Sequence, residues 1–364
     1  MPEGAEFPHL LFYLLIAKNY KFMLILSVMI DKLKTIADLA SFLSVEVHTL
    51  KTLNPDSNFR TFEIPKPGTT EKRTIETPTG QLRTILDRIS DSLQWLYNNY
   101  KTDAAYGFIR AVKTDMDKRN IFTNAKKHLG RKNLLNIDLD NFFHQVDTGK
   151  VHTLLNDYRI FSFTTETEEL LTRLVTYKGR LPMGSPTSPA LSNFATIPLD
   201  KELLSWAARS SFVYTRYVDD LSFSSNCAIS QTHFTQINAI LLSHRFIVDD
   251  KKTQWFREND IKEVTGLLLS EKITIPDKFI CDFEHDINKL KDVICYAQQY
   301  PDPYVFDWIN KLKQVISGRL AFMNMIYTRN HPVYLKLKNM FDGIGKTNDE
   351  QYSYSWRYAG YEYH

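Results

Sequence analysis

The sequence predicts an α+β protein, and three patterns lead to that reading. β-rich runs fall at Phe59–Pro78, Lys132–Asp138 and Phe212–Ser224. Apolar residues at helical spacing lie between them, as in Leu82, Ile85, Leu86, Ile89, Leu93 and Leu96. From Asp282 onward the pattern is helical alone. Length and composition agree: 364 residues, 43% hydrophobic and 24% charged, leave ample room for a core and exclude a disordered or collagen-like chain.

The elements follow in order. Phe7–Ile30 is strongly apolar, but Lys18, Asn19, Tyr20 and Lys21 break it into two pieces too short to span a bilayer. It also lacks the basic start and small-residue cleavage site of a secretory signal. Two buried segments are expected there; the alternative is a natural start at Met23 or Met29, which an intact-mass measurement distinguishes. Leu33, Ile36, Leu39, Ala40 and Leu43 then predict a helix, broken at Ser44 before a second one. Phe59–Pro78 reads as a hairpin turning at Pro67-Gly68, with Lys66, Lys72 and Arg73 near its tip. Such a hairpin suits a flap over an anionic ligand or a soluble sheet edge. Gln81–Tyr97 is an amphipathic helix, and Thr123–His128 opens another.

Lys132–Asp138 is a buried strand ending in an acid. Phe142 and Phe143 lead toward a helix reaching Asp157, and Glu166–Tyr177 is a further helix. Arg180–Asn193, rich in Gly, Pro and Ser, is a loop feeding a helix, with Ser188 as N-cap and Pro189 at its first position. That helix is expected to run to Ala208 with a kink at Pro198. Phe212–Ser224 is a hairpin with Asp219-Asp220 at its turn. Strands are expected at Arg245–Asp249 and Thr253–Arg257, then a hairpin from Val264 to Ile275. Five tyrosines and a tryptophan crowd the tail from Tyr352, as in a docking segment or an unordered end.

Charge is unevenly spread. Against a whole-chain balance of +3, the stretch Lys66–Lys132 holds 14 basic and 7 acidic residues. A basic face suits a polyanion, and equally a solvated surface. Three scattered cysteines (Cys227, Cys281, Cys295) are too few for a disulfide framework or zinc site and read as reduced core thiols of a cytoplasmic protein.

The chemistry lies in the acids. Asp138 ends a strand and Asp219-Asp220 sit on a hairpin turn. Brought together, three carboxylates raise one another's pKa and need a compensating cation. Hard oxygen donors select Mg²⁺. Two such ions can activate a hydroxyl and stabilise a leaving pyrophosphate in an in-line displacement.

The order of these motifs resembles that of reverse transcriptases. Tyr217-Val218-Asp219-Asp220 is similar to the family's YxDD box, and Asn136–Phe143 to its first acidic motif. Leu181–Pro189 is similar to its loop motif, with Met183 where many relatives carry Gln. Asn124-Ala125-Lys126-Lys127-His128 resembles the NAxxH pattern of retron enzymes, and Val264-Thr265-Gly266 their VTG pattern. The resemblance covers residues 59–322 and implies a right-hand polymerase fold. Its expected parts are an N-terminal helical extension (1–55), fingers (56–135), an antiparallel-sheet palm with the catalytic motifs (136–281), a helical RNA-binding thumb (282–345) and the aromatic tail (346–364).

The resemblance also implies roles. Asp138, Asp219 and Asp220 would be catalytic and, with the Leu139 carbonyl, would hold two Mg²⁺ ions. Lys66 and Arg73, with Lys72 as a rival, would bind the triphosphate. Phe143 would exclude a 2′-hydroxyl, Met183 would line the nucleotide, and Lys251 or Lys252 would protonate pyrophosphate. Asn124, His128, Val264, Thr265 and Gly266 would contact RNA. The implied function is RNA-directed DNA polymerisation on a dedicated noncoding RNA. Priming from a guanosine 2′-hydroxyl would give a branched RNA–DNA product (msDNA), and an effector protein would act with it against phage. Deoxynucleoside triphosphates and the nucleic acids are the expected partners, with no membrane. Alternatives are an intron-type or diversity-generating reverse transcriptase, an RNA-dependent RNA polymerase, which Phe143 argues against, or a non-catalytic nucleic-acid scaffold.

Overall fold

The computed structural model describes residues 30–65, 70–111, 116–300 and 302–346, with nothing on the side chains of 345 and 346. Lys66, the apolar stretch through Met29 and the tyrosine tail lie outside these residues. The chain divides into two compact units. One comprises the described residues up to Asn120 together with Lys132–Arg257; the other comprises Ile121–Arg131 and the chain from Glu258.

The first unit opens with α1 (Ile36–Leu43), started by a capping box between Thr35 and Asp38 and ended by Ser44 in the left-handed region. The short α2 (Val47–Thr52) follows. β1 (Phe59–Pro65) and β2 (Lys72–Pro78) pair antiparallel as the predicted hairpin. α3 (Gly80–Tyr97) buries its expected stripe, from Leu82 to Leu96. The helix α4 (Ile121–His128) belongs to the second unit.

The centre of the first unit is a four-stranded antiparallel sheet. Its strands are β3 (Asn133–Asp138), β4 (Val213–Tyr217), β5 (Asp220–Ser225) and β6 (Gln254–Phe256), in the order β4-β5-β3-β6. Leu135, Ile137, Leu221 and Phe223 are essentially fully buried and join one core with α1, α2, α3 and five further helices. These are α5 (Thr148–Leu155), α6 (Thr165–Val175), α7 (Ser188–Ala195), α8 (Ile197–Arg209) and α9 (Gln231–Ser243).

Several expectations are corrected. Ser188 is not the N-cap of α7: that place falls to Thr187, and the Ser188 hydroxyl donates to the Pro182 carbonyl at 2.7 Å, bracing the loop instead. The expected kinked helix is two helices broken at Thr196, with Pro198 in the first turn of α8, where no amide partner is needed. Arg245–Asp249 is not a strand. It meets β3's end by single bonds, Asp140 N–H to the Ile247 carbonyl and Asp249 N–H to the Asp138 carbonyl. The cysteines are free, but all three are exposed rather than core.

In the second unit, α4 packs on a three-stranded sheet of β7 (Lys262–Val264), β8 (Leu267–Leu269) and β9 (Ile273–Thr274). Three helices complete it: α10 (Asp277–Gln299), α11 (Pro303–Ile326) and α12 (Pro332–Lys346), packed through Phe283, Leu290, Ile316, Met323 and Leu337. The helical run thus begins at Asp277 rather than Asp282. No helix among the described residues is long and apolar enough to cross a membrane.

Candidate active site

The three acids meet at one end of the sheet in the first unit. Antiparallel pairing of β3 with β5 sets Asp138 directly opposite Asp220. The two-residue turn Val218-Asp219 closes β4 onto β5, and the Leu139 amide donates to the Asp219 carbonyl at 3.1 Å. Asp138 is therefore tied on one side to the turn and on the other to Asp249. Eighty residues of separation in sequence are bridged by one strand register, the feature on which the reading of the acids depended.

The electrostatics show negative charge that is only partly offset. Burial, and then the neighbouring charges of Asp219 and Asp138, push the Asp220 carboxyl up to about 7; a hydrogen bond with Asp138 also favours its protonated form. Asp219 is raised chiefly by burial, then by Asp138. The nearest relief is Lys252, whose Nζ lies 2.7 Å from Asp138 Oδ1 and 3.3 Å from Asp249 Oδ2. The hydrogen bond to Asp138 raises the ammonium's pKa in return. Arg73 on β2 also offsets the rise at Asp219. Crowded carboxylates held above their usual range are, in donor chemistry, suited to a divalent cation. Among the described residues no group of three or more His, Cys, Asp or Glu side chains is arranged so that it could hold a metal ion as it stands.

The two candidate lysines separate. The short 3₁₀ turn Asp250–Lys252, capped by Asp249, directs Lys252 to the acids. Lys251 is exposed, and its backbone amide bonds Asp249 Oδ1. Sequence reasoning gave both lysines and placed Lys251 in the site; the turn places Lys252 there. Asp249 was missed altogether, because its role comes from a loop contact with no sequence pattern. Lys72 is engaged with Glu63 at 2.9 Å on the exposed hairpin.

Beyond the acids, Asn141 adopts φ 42° and begins a 3₁₀ turn over Phe142–Gln145. Phe142 is core, 3% exposed, whereas Phe143 is half-buried. The Phe143 ring lies between Phe142, at 5.6 Å, and Phe108, stacked at 6.0 Å. The loop with Met183 docks on β2: the Glu76 amide donates to the Met183 carbonyl at 2.7 Å. Gly184 follows at φ 122°, and a Cβ there would stand 2.8 Å from Ile75 Cγ2 and 3.0 Å from the Glu76 carbonyl, so only glycine fits. Glu76, buried at 1%, anchors this corner through Arg180 at 2.8 Å and Lys178 at 3.4 Å. Burial opposes that charge, yet these two cations hold its carboxyl below the usual range. No sequence pattern pointed to Glu76 or Arg180.

The residues expected to contact RNA sit in the second unit, and they separate by burial. Asn124 and His128, four apart on α4, are each 1% exposed, and the helix that carries them packs against the β7–β9 sheet. Burial first, then Arg131 and Lys127, pull the His128 imidazole down to about 3, so it is neutral. Val264 is buried, while Thr265 and Gly266 form a turn at φ 48° and 79°. The Thr265 hydroxyl donates to the Ile121 carbonyl at 3.5 Å. Asn124, His128 and Val264, expected as RNA contacts, are thus buried here, whereas Thr265 is half-buried and Gly266 exposed.

Residues 64–279 match the family profile described as reverse transcriptase (RNA-dependent DNA polymerase). The Retron Ec86 reverse transcriptase of Escherichia coli is 29% identical over 64% of this chain and 70% of its own. The Retron Mx162 reverse transcriptase of Myxococcus xanthus is 29% identical over 55% of this chain and 44% of its own. Telomerase from Candida albicans, solved with a fragment of telomeric RNA, aligns over 79% of this chain and 60% of its own at TM-score 0.42 and 11% identity.

Proposed function

Since the chain belongs to the reverse transcriptase family and is of the retron type, an RNA-directed DNA polymerase with a right-hand fold, we propose that it copies part of a dedicated structured noncoding RNA into DNA. The observation that carries the catalytic part is the meeting of Asp138, Asp219 and Asp220 at one sheet end beside Lys252 and Arg73. The family uses divalent metal ions; two Mg²⁺ ions held by the three carboxylates and the Leu139 carbonyl would activate the attacking hydroxyl and stabilise the leaving pyrophosphate.

The remaining steps belong to the chain's own side chains. Arg73, together with Lys66, grips the triphosphate of the incoming deoxynucleotide. Phe143, backed by Phe108 and Phe142, meets a 2′-hydroxyl by clash and so selects deoxyribose. Met183 packs beside the nucleotide and fixes loop shape, since it has no donor to offer. Lys252, the protonated group nearest the acids, supplies the proton that pyrophosphate takes as it leaves. The first bond is made to a guanosine 2′-hydroxyl, giving branched msDNA. The residues of this chemistry fall within the stretches assigned to the fingers (56–135) and palm (136–281). The helices of the thumb (282–345), with Thr265-Gly266, hold RNA through shape and backbone. An effector protein, a role against phage and a cytoplasmic setting complete the reading.

Purification from native cells, followed by nuclease treatment of whatever copurifies, tests the retron part. Bound material sensitive to both RNase and DNase, joined through a linkage that survives denaturing gels, is the expected result. RNA alone, or no nucleic acid, would point to another bacterial reverse transcriptase.

A further inference from the structure

Behind the catalytic turn lies a charged network that the chemistry above does not use. Arg216 on β4 and Asp200 on α8 are both fully buried. Their contact is bidentate, Nε to Oδ1 at 2.9 Å and Nη2 to Oδ2 at 2.8 Å. Asp200 also accepts from the Tyr214 hydroxyl and the Thr102 hydroxyl, each at 2.9 Å. The third nitrogen, Nη1, points elsewhere: it donates to Asn193 Oδ1 and to the Val218 carbonyl, both at 3.1 Å.

Val218 is where the turn needs support. It is β-branched yet sits at φ 64°, a conformation that persists only when its surroundings impose it. Two contacts do so. One is the Nη1 bond to its carbonyl. The other is Gly107, so close that a Cβ there would stand 2.6 Å from Val218 Cγ2 and 2.7 Å from its amide. Asn193 ties the two together, because its Nδ2 donates to the Gly107 carbonyl at 3.0 Å while its Oδ1 holds Arg216. The Val218 carbonyl belongs to the peptide that leads into Asp219, so its direction sets where the Asp219 carboxyl lies. A buried ion pair is a weak source of stability, because desolvation offsets its attraction. Geometry is what this one supplies.

We propose that Arg216 is a positioning residue for polymerisation: clamped by Asp200 and Asn193, its guanidinium fixes the Val218–Asp219 peptide and thereby holds the Asp219 carboxylate beside Asp138. This rests on Asp219 being catalytic. Lysine at 216 would still meet Asp200, but it has no fork with which to reach Val218 and Asn193 as well.

The test is single-turnover nucleotide addition per active site, with amide hydrogen exchange across 217–221 and thermal melting on the same full-length proteins. Arg216→Lys should slow addition at saturating deoxynucleotide by about 10- to 100-fold, in line with a misplaced reacting group. Its nucleotide KM should stay within about twofold, and exchange at the turn should quicken. Asn193→Ala should move both readouts the same way to a smaller extent, and it decides the matter if Arg216→Lys does not fold. Tyr214→Phe, which removes a bond to Asp200 and none to the turn, should lower the melting temperature yet leave the rate within about twofold. Wild-type rate and exchange in the folded Arg216→Lys or Asn193→Ala protein overturn the proposal, as does an equal slowing by Tyr214→Phe. An Asp219→Asn protein that retains its rate would instead overturn the catalytic reading beneath it.

Discussion

Lys252 stands 2.7 Å from Asp138 while Lys251 faces solvent, so two adjacent identical residues should behave differently. Lys252→Ala is expected to slow nucleotide addition by about 100-fold, the scale of a lost general acid, and Lys251→Ala by less than about twofold. Single-turnover kinetics read both. Phe143→Ala should raise ribonucleotide incorporation by about 10-fold or more relative to deoxynucleotide, because the ring is then no longer in the way of a 2′-hydroxyl. Competition assays with matched triphosphates measure it, and an unchanged preference would remove Phe143 from the gate. At this scale the sequence was most informative where chemistry itself singles out a residue. Paired acids on a hairpin turn are visible in one dimension; the choice between Lys251 and Lys252 depends on a 3₁₀ turn capped by Asp249. Arg216 left only a faint mark, a charged residue within the strand Val213–Tyr217, and Asp200 and Asn193, on two helices, left none.

Among the elements, α4 offers the sharpest test. His128 is neutral in the folded protein, with its pKa drawn down to about 3 from an ordinary value of about 6.5. Above that ordinary value neither folded nor unfolded chain binds the proton, and stability is unaffected. As pH falls below it, the unfolded chain takes up a proton that the folded one refuses, so stability drops progressively toward about pH 3. Denaturant melts of wild type and His128→Gln between pH 7 and about 4 should show a shallower acid loss in the variant; parallel curves would contradict this. Helix and strand positions followed periodicity closely, as α3 and the β4–β5 hairpin show. What periodicity could not convey was tertiary context. The break at Thr196, the docking of Arg245–Asp249 along β3 and the burial of Asn124 all arise from contacts distant in sequence.

For the whole molecule, the residues of the candidate active site fall within one of the two units. The acids, Lys252, Arg73, Phe143 and the Met183 loop all lie in the first; α4, the Thr265-Gly266 turn and the three long helices form the second. The central claim is that Asp138, Asp219 and Asp220 together perform divalent-metal-dependent DNA synthesis on RNA. The most direct measurement is deoxynucleotide incorporation on a primed RNA template by the purified full chain and by Asp219→Asn, with and without Mg²⁺. Incorporation that needs the metal and falls by about 1,000-fold or more in the variant, about 4 kcal/mol of transition-state stabilisation, is the predicted result. Incorporation by Asp219→Asn at the wild-type rate would contradict it.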